Sequence, residues 1–256
     1  MITSKDNSKV KHVIKLRKSQ ARKKEDLIIV EGKKEIDMAL RSGLKMEQLF
    51  YAPEIASKNI FQNLKCSVDE VGRNVFEHLA IRENPDGFLA LFTPKLFDFA
   101  DLKISKSSLV LILDAIEKPG NLGAILRTCD AVQVDAVILT NPKTDIFNHN
   151  VVRNSLGAIF TNKIIITKDL KIALEWLREN NFKICTTTPK AQQLFTDCDF
   201  KSSIALVVGT EHEGVSDFWL KNADFKITIP MMGKIDSLNA SVSAALVLYE
   251  VLRQRK

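Results

Sequence analysis

Several things are missing from this 256-residue chain, and each absence closes a class of function. No apolar run approaches the roughly 18 to 20 residues that a membrane-spanning helix needs. The N-terminus, MITSKDNSKVKHVIKLRK, is basic but lacks the apolar stretch of a signal sequence. Cys66, Cys129, Cys185 and Cys198 form no CxxC pair, and His12, His78, His149 and His212 are equally dispersed. That spacing disfavours a metal site and reads as reduced, mostly buried thiols. Neither GxGxxG nor GxxxxGK[ST] occurs, which disfavours the usual dinucleotide and nucleoside-triphosphate enzymes, and no GxSxG elbow marks a serine hydrolase. Internal repeats and low-complexity tracts are also absent. The expectation is a cytoplasmic protein with no membrane partner and no metal.

What is present is ordinary in bulk and uneven in charge. With 45% hydrophobic and 27% charged residues, the chain is a globular protein long enough for about two domains. The first 24 residues hold nine basic side chains against Asp6 alone, a local net of +8 in a chain whose total is +6. Helical spacing puts Lys11, Lys15, Lys18 and Arg22 on one face and Val10, Val13, Ile14 and Ala21 on the other. A solvated surface helix would also carry such a stripe. So many cations beside one anion repel each other unless a polyanion lies opposite, which favours a phosphate backbone. No aromatics are interleaved, so base stacking is not signalled.

Strand-length apolar runs recur along the whole chain. LIIV (27–30), QLFYA (48–52) and GFLALF (87–92), with helix-like segments beginning near Glu31, Pro53 and Val68, predict a small α/β domain over residues 1–95. Residues 96–108 read as a linker. From Leu109, the runs LVLILD, AVILT, NKIIIT, KICTTT, IALVVG and FKITIP are apolar and β-branched without alternation, the pattern of strands buried on both faces. Residues 109–256 are therefore expected to form a mostly parallel sheet covered by helices, with ligands beyond the carboxyl ends of its strands.

Three junctions in this second domain break their local composition. In LVLILDAIEKPGNLGAILRTCDA, Asp114 ends a strand, Pro119 to Asn121 turn into a helix with Asn121 as its expected N-cap, and Arg127 interrupts an apolar helical stretch. A cation snorkelling from the helix is the other reading of Arg127. In IALVVGTEHEGVS, Gly209 permits close approach of a ligand to the backbone, and Glu211 is available to orient a polar partner or to sit in solvent. In IPMMGKIDSLNASVSAALVLYE, Ser237 or Asn239 is placed to cap a terminal helix whose apolar period runs through Val242, Ala245, Leu246, Tyr249 and Leu252. One cap accounts for one polar residue, not for the whole DSLNAS cluster.

Together the three loops resemble the three motifs of the SpoU, or TrmH, family of RNA 2'-O-methyltransferases in the SPOUT superfamily. Asn121 to Ala131 matches the first motif, Gly209 to Gly214 the second (G-x-E-x-x-G) and Ile229 to Glu250 the third, with I-P-M followed by S-L-N. The N-terminal segment is similar to the family's small substrate-binding domain, itself related to a ribosomal-protein fold. The resemblance implies an α/β-knot domain with a trefoil, S-adenosylmethionine as cofactor, and a homodimer with a composite active site. It implies Arg127, Asn121, Glu211, Ser237 and Asn239 as catalytic-site residues and Gly209, Ile229 and Leu238 as lining the cofactor, with Thr186 to Thr188 as a further candidate loop. RNA contacts fall to Lys11, Lys15, Lys18, Arg22, Arg153 and Ser155.

A guanidinium stays protonated up to about pH 12, so Arg127 is better suited to fixing the ribose hydroxyl or its phosphate than to acting as a base. The chain departs from the family pattern at Lys118, where an acid is common, at Ala240 in SLNAS, and at His149, where proline is frequent. The expected substrate is RNA, with ribosomal RNA favoured over transfer RNA. A non-catalytic RNA-binding assembly factor is the alternative from another class.

Overall fold

The computed structural model describes residues 1–56, 61, 64–210 and 212–256, and they divide into two compact units. The first unit comprises Met1–Lys95 together with Asp145–Thr161; the second comprises Leu96–Thr144 and Asn162–Lys256. The chain of the second unit thus leaves after Thr144 and returns at Asn162.

In the first unit, helices α1 (Ser8–Leu16) and α2 (Ser19–Glu25) precede strand β1 (Ile28–Glu31), helix α3 (Lys33–Arg41), strands β2 (Met46–Tyr51) and β3 (Ser67–Glu70), helix α4 (Arg73–Leu79) and strand β4 (Phe88–Phe92). The sheet order is β1-β4-β2-β3, with β4 antiparallel to both neighbours and β2 parallel to β3. Val10, Val13 and Leu16 of α1 meet Val75, Phe76 and Leu79 of α4 and Phe50, Leu89 and Leu91 of the sheet in one core. The expected helix near Val68 is a strand first, with α4 starting only at Arg73, and residues 53–56 form a turn rather than a helix.

The basic N-terminus corrects a second expectation. Asn7 caps α1 by accepting the Lys9 N–H at 2.9 Å, but the helix ends at Arg17, and Lys18 is extended at φ −84°, ψ 131°. α2 then starts afresh, so Lys18 and Arg22 do not continue the stripe of Lys11 and Lys15. Lys11 pairs with Asp6 at 2.8 Å and Lys15 with Glu25 at 2.7 Å, both lysines exposed. Arg22 is buried, donates to the Leu16 and Arg17 carbonyls, and is ion-paired with Asp145.

Two further helices, α6 (His149–Ser155) and α7 (Ala158–Thr161), belong to the first unit: α6 packs on β1 and α7 on α3. Gly157, at φ +89°, lies where a Cβ would fall 2.6 Å from the Met38 sulfur. Ser155, one of the expected RNA contacts, is buried and donates to the Val152 carbonyl at 2.8 Å.

The second unit is built from β5 (Leu109–Asp114), α5 (Pro119–Val132), β6 (Ala136–Thr140), β7 (Ile164–Thr167), α8 (Leu170–Glu179), β8 (Lys183–Thr187), β9 (Gln193–Leu194), β10 (Ile204–Val208), α9 (Asp217–Asn222), β11 (Phe225–Thr228) and α10 (Ala240–Arg255). Every pairing in its seven-stranded sheet, ordered β7-β6-β5-β10-β8-β11-β9, is parallel. β5, β6 and β10 are buried at each residue, as their unbroken apolar runs require. Residues 96–108 do not run loose: Phe97, Phe99, Leu102 and Ile104 pack against a core that includes Leu177 of α8 and Trp219 of α9. Among the described residues no helix is long and apolar enough to cross a membrane.

The Arg22–Asp145 pair fixes the start of the 145–161 excursion. Removing one member strands the other charge in a buried site. Arg22→Ala is expected to lower stability by about 3–5 kcal/mol in urea denaturation. Lys11→Ala, at an exposed pair, should leave the midpoint nearly unchanged. Equal, small effects would mean that the pair does not hold the excursion.

Candidate active site

The sheet order brings the three singled-out loops to one end. β10 lies between β5 and β8, and β11 adjoins β8, so the segments after β5, β10 and β11 leave the sheet from neighbouring carboxyl ends.

After β5, Asp114 is buried and bridges three elements. Its carboxylate accepts the Thr140 hydroxyl of β6 at 3.0 Å and the Ser216 N–H at the start of α9 at 2.9 Å. The sequence marked Asp114 only as the end of a strand; its partners lie 26 and 102 residues away. α5 begins with Pro119 and Lys118 is its N-cap, so Asn121 is not the cap that the sequence suggested but the third helical residue. A proline with fixed φ at the first helical position moves the helix start forward. Arg127 is then about 240° around the helix from Asn121, exposed, with no ion-pair partner among the described residues.

The third loop meets the first. Asn239 is the N-cap of α10: its side-chain oxygen accepts the Ser241 N–H at 2.9 Å and the Ser241 hydroxyl at 2.6 Å. Its amide donates to Asn121 Oδ1 at 3.1 Å, joining the start of α10 to the first turn of α5. Ile229 and Leu238 are half-buried at the two ends of a segment in which residues 232–237 are all exposed; Ser237 belongs to it, as do Met232 (97% exposed) and Ile235 (74%).

The second loop is the tightest. Thr210 and Gly214 exchange two N–H···O bonds of 3.1 Å, and Gly214 takes φ +68°. A Cβ on Gly209 would fall 1.9 Å from the Gly214 carbonyl oxygen. The close approach that this glycine permits is therefore made first by the chain itself. Glu211 lies outside the described residues. Lys143, after β6, bonds Glu117 at 2.6 Å and lies 3.6 Å from Glu213, tying the loops after β5, β6 and β10 together. The Lys143 ammonium holds the Glu117 carboxyl below its ordinary range. Thr186, on β8, is buried, and its hydroxyl has no hydrogen-bond partner among the described residues. Sequence reading missed Lys143, because only folding brings its loop beside the others.

α10 is apolar on two sides. Ala244, Val247, Leu248 and Val251 are buried, whereas Val242, Leu246 and Tyr249, the stripe picked out by sequence period, are 45%, 40% and 52% exposed. With Ala124 and Thr128 of α5 they line an open groove of about 360 Å³.

A family model described as the SpoU rRNA Methylase family matches residues 108–249. The chain belongs to this SpoU family. A second model, the MRM3-like substrate binding domain, matches residues 7–90. The SpoU chain is 34% identical over 245 residues to a Staphylococcus aureus protein named for the TrmH family of tRNA/rRNA methyltransferases, covering 90% of this chain and 97% of that one. It is similar to the crystal structure of an RNA 2'-O ribose methyltransferase at 35% identity and TM-score 0.88, covering 99% and 98% of the two chains. An AdoMet-bound rRNA methyltransferase from Sinorhizobium meliloti is similar at 27% identity and TM-score 0.88, with 98% and 97% covered.

The two glycines of the second motif separate steric demand from backbone demand. Gly209→Ala must displace Gly214 and is expected to cost at least about 1–3 kcal/mol, as overpacking does. Gly214 has open space around it, so Gly214→Ala should cost only the left-handed backbone penalty of about 1–2 kcal/mol. Urea denaturation that ranks Gly214→Ala as the more damaging change would contradict this geometry.

Proposed function

We propose that this SpoU-family chain methylates the ribose 2'-hydroxyl of RNA, with S-adenosylmethionine as donor and ribosomal RNA favoured over transfer RNA. The observation that carries the reading is the Asn121–Asn239 hydrogen bond, which joins the first and third motifs beside a helix bearing the exposed Arg127. The AdoMet-bound rRNA methyltransferase of S. meliloti, similar over nearly its whole length, supports both the donor and the RNA class. The residues suit such a donor. The unpartnered Thr186 hydroxyl and the exposed segment 232–237 offer polar groups at the carboxyl ends of β8 and β11, and Ile229 and Leu238 offer apolar walls. When bound, S-adenosylmethionine supplies a sulfonium methyl group.

Arg127 acts on the RNA. Its planar fork matches phosphate oxygens and holds the ribose hydroxyl in place for methylation. It does not serve as the base, since its proton is held up to about pH 12. Asn121 and Asn239 keep two loops in register, and Ser237 and Glu211 complete the polar set by resemblance to the family. The trefoil threading of the second unit and the cytoplasmic location belong to the same reading.

The working form is a homodimer. α10 packs on α5, on β10 and on residues 195–197 within the chain, while its second apolar side, which burial would favour covering, stays exposed. The second face, Val242, Leu246 and Tyr249, fits another copy of itself across a two-fold axis. On an ideal helix Arg127 points about 60° from Ala124, at the rim of this groove, so a second copy would lie beside it.

Two variants test these claims together. Arg127→Ala should retain donor binding and the dimer while losing about 10²-fold or more in methyl transfer to total RNA. Leu246→Asp should shift sedimentation to the monomer and lose transfer with it. Normal turnover in Arg127→Ala would eliminate its assignment, and an unchanged sedimentation coefficient in Leu246→Asp would eliminate the α10 interface.

A further inference from the structure

Within the first unit, a small cavity of about 10 Å³ opens between α6, β1 and the segment after α4. Ile29, Ile81 and Val152 wall it, and its polar lining comes from Glu31, Arg82, His149 and Arg153. That volume admits one oxygen-sized group and excludes a nucleobase.

The acceptors around it are engaged. Glu31 accepts the Ile81 N–H at 2.8 Å and the Arg82 N–H at 3.3 Å, Glu35 of α3 pairs with Arg82 at 2.6 Å, and Asp145 pairs with Arg22. Nitrogen atoms are left over: His149 Nδ1, Arg22 Nε and Arg17 Nε are buried with no hydrogen-bond partner among the described residues. Arg17 Nη2 donates to the carbonyls of His78, Leu79 and Ala80. Arg153, exposed on α6, has no carboxylate partner among the described residues. Of the cavity's own lining, Arg153 and, in the tautomer protonated at Nδ1, His149 are donors without an acceptor among the described residues, and a buried donor left unmet is costly.

We propose that this cavity seats a non-bridging oxygen of an RNA backbone phosphate, received by His149 and Arg153 with Arg82 at the rim. The inference rests on the RNA reading above and deepens it, because it makes the 145–161 excursion part of the RNA surface. It also gives a use to His149, a residue at which this chain departs from the family pattern. A phosphate matches the vacancy in size: one oxygen fits inside, and the others stay at the mouth within reach of the Arg153 guanidinium fork.

Half-burial, and then the field of Arg22, Arg153 and Arg17, holds the His149 imidazole below its ordinary range. The charged groups around it are Arg17 at the end of α1, Arg22 of α2, Glu31 of β1, Glu35 of α3, Arg82 after α4, and Asp145 and Arg153 of the excursion. A bound anion reverses that field and raises the histidine's pKa. Binding then takes up a proton, so RNA affinity rises as pH falls through the interval between the free and bound values.

The test follows the His149 ring resonances of the full chain by NMR, assigned with His149→Asn, in buffer alone, with a short single-stranded RNA, and with inorganic phosphate. RNA should raise the His149 pKa by on the order of one unit or more. Arg153→Ala should cut that shift and lower the slope of log affinity against log salt by about 0.7–0.9. Unchanged His149 titration with RNA bound would overturn the site, even if methyl transfer is normal. A shift with phosphate but none with RNA would make it a free-phosphate site and overturn the RNA assignment. Failure of RNA to bind at all would sink the RNA reading and this inference with it.

Discussion

Burial of a parallel sheet on both faces is the constraint on which the rest of the second unit depends. β5, β6 and β10 have no exposed residue, so no ligand group can reach these central strands except at their ends. Polar chemistry is thereby pushed into the loops that leave the carboxyl ends, and strand order decides which loops meet. Placing β10 between β5 and β8 sets the first and second motifs side by side, and β11 brings the third within one strand of them. Local devices then hold the arrangement: the Asp114 carboxylate between Thr140 and Ser216, Lys143 between Glu117 and Glu213, and Asn239 spanning the α10 cap and Asn121. The exposed ion pairs stabilise little by themselves. Buried Asp114 matters more, because its loss would leave two donors unmet.

Glycine shows how the family motif and the fold share a residue. At Gly209 a side chain is excluded by the Gly214 carbonyl before any ligand is considered. A residue read as ligand-facing is thus already required by the loop's own closure. Beside that closure His212 and Glu213 are exposed, and the Glu213 N–H is bound to the Thr210 hydroxyl at 3.1 Å.

Much of this was legible in the order of residues. The six apolar runs after Leu109 correspond to β5, β6, β7, β8, β10 and β11, because short, β-branched apolar runs of strand length are what largely buried strands leave in a sequence. The three motif loops were legible because polar residues interrupt those runs where packing would not choose them. What stayed hidden has common physical causes. β3, SVDE, is polar and largely exposed, and β9 is two residues long, so neither carries an apolar signal. Arg22 belongs to a basic run, yet it is buried because Asp145, far along the chain, supplies its counter-charge. In α10 the apolar period picked out Val242, Leu246 and Tyr249, but a helix apolar on two sides cannot say which stripe meets its own unit.

The central claim is that the loops after β8, β10 and β11 hold the methyl donor. Calorimetry of S-adenosylmethionine with the purified full chain, beside Gly209→Ala and a Lys11→Ala, Lys15→Ala double variant, tests it most directly. The account predicts one donor bound per chain, unchanged affinity in the double variant, and loss of uptake in Gly209→Ala while the sheet stays folded by circular dichroism. No donor uptake by folded wild-type protein, or equal affinity in Gly209→Ala, would contradict it.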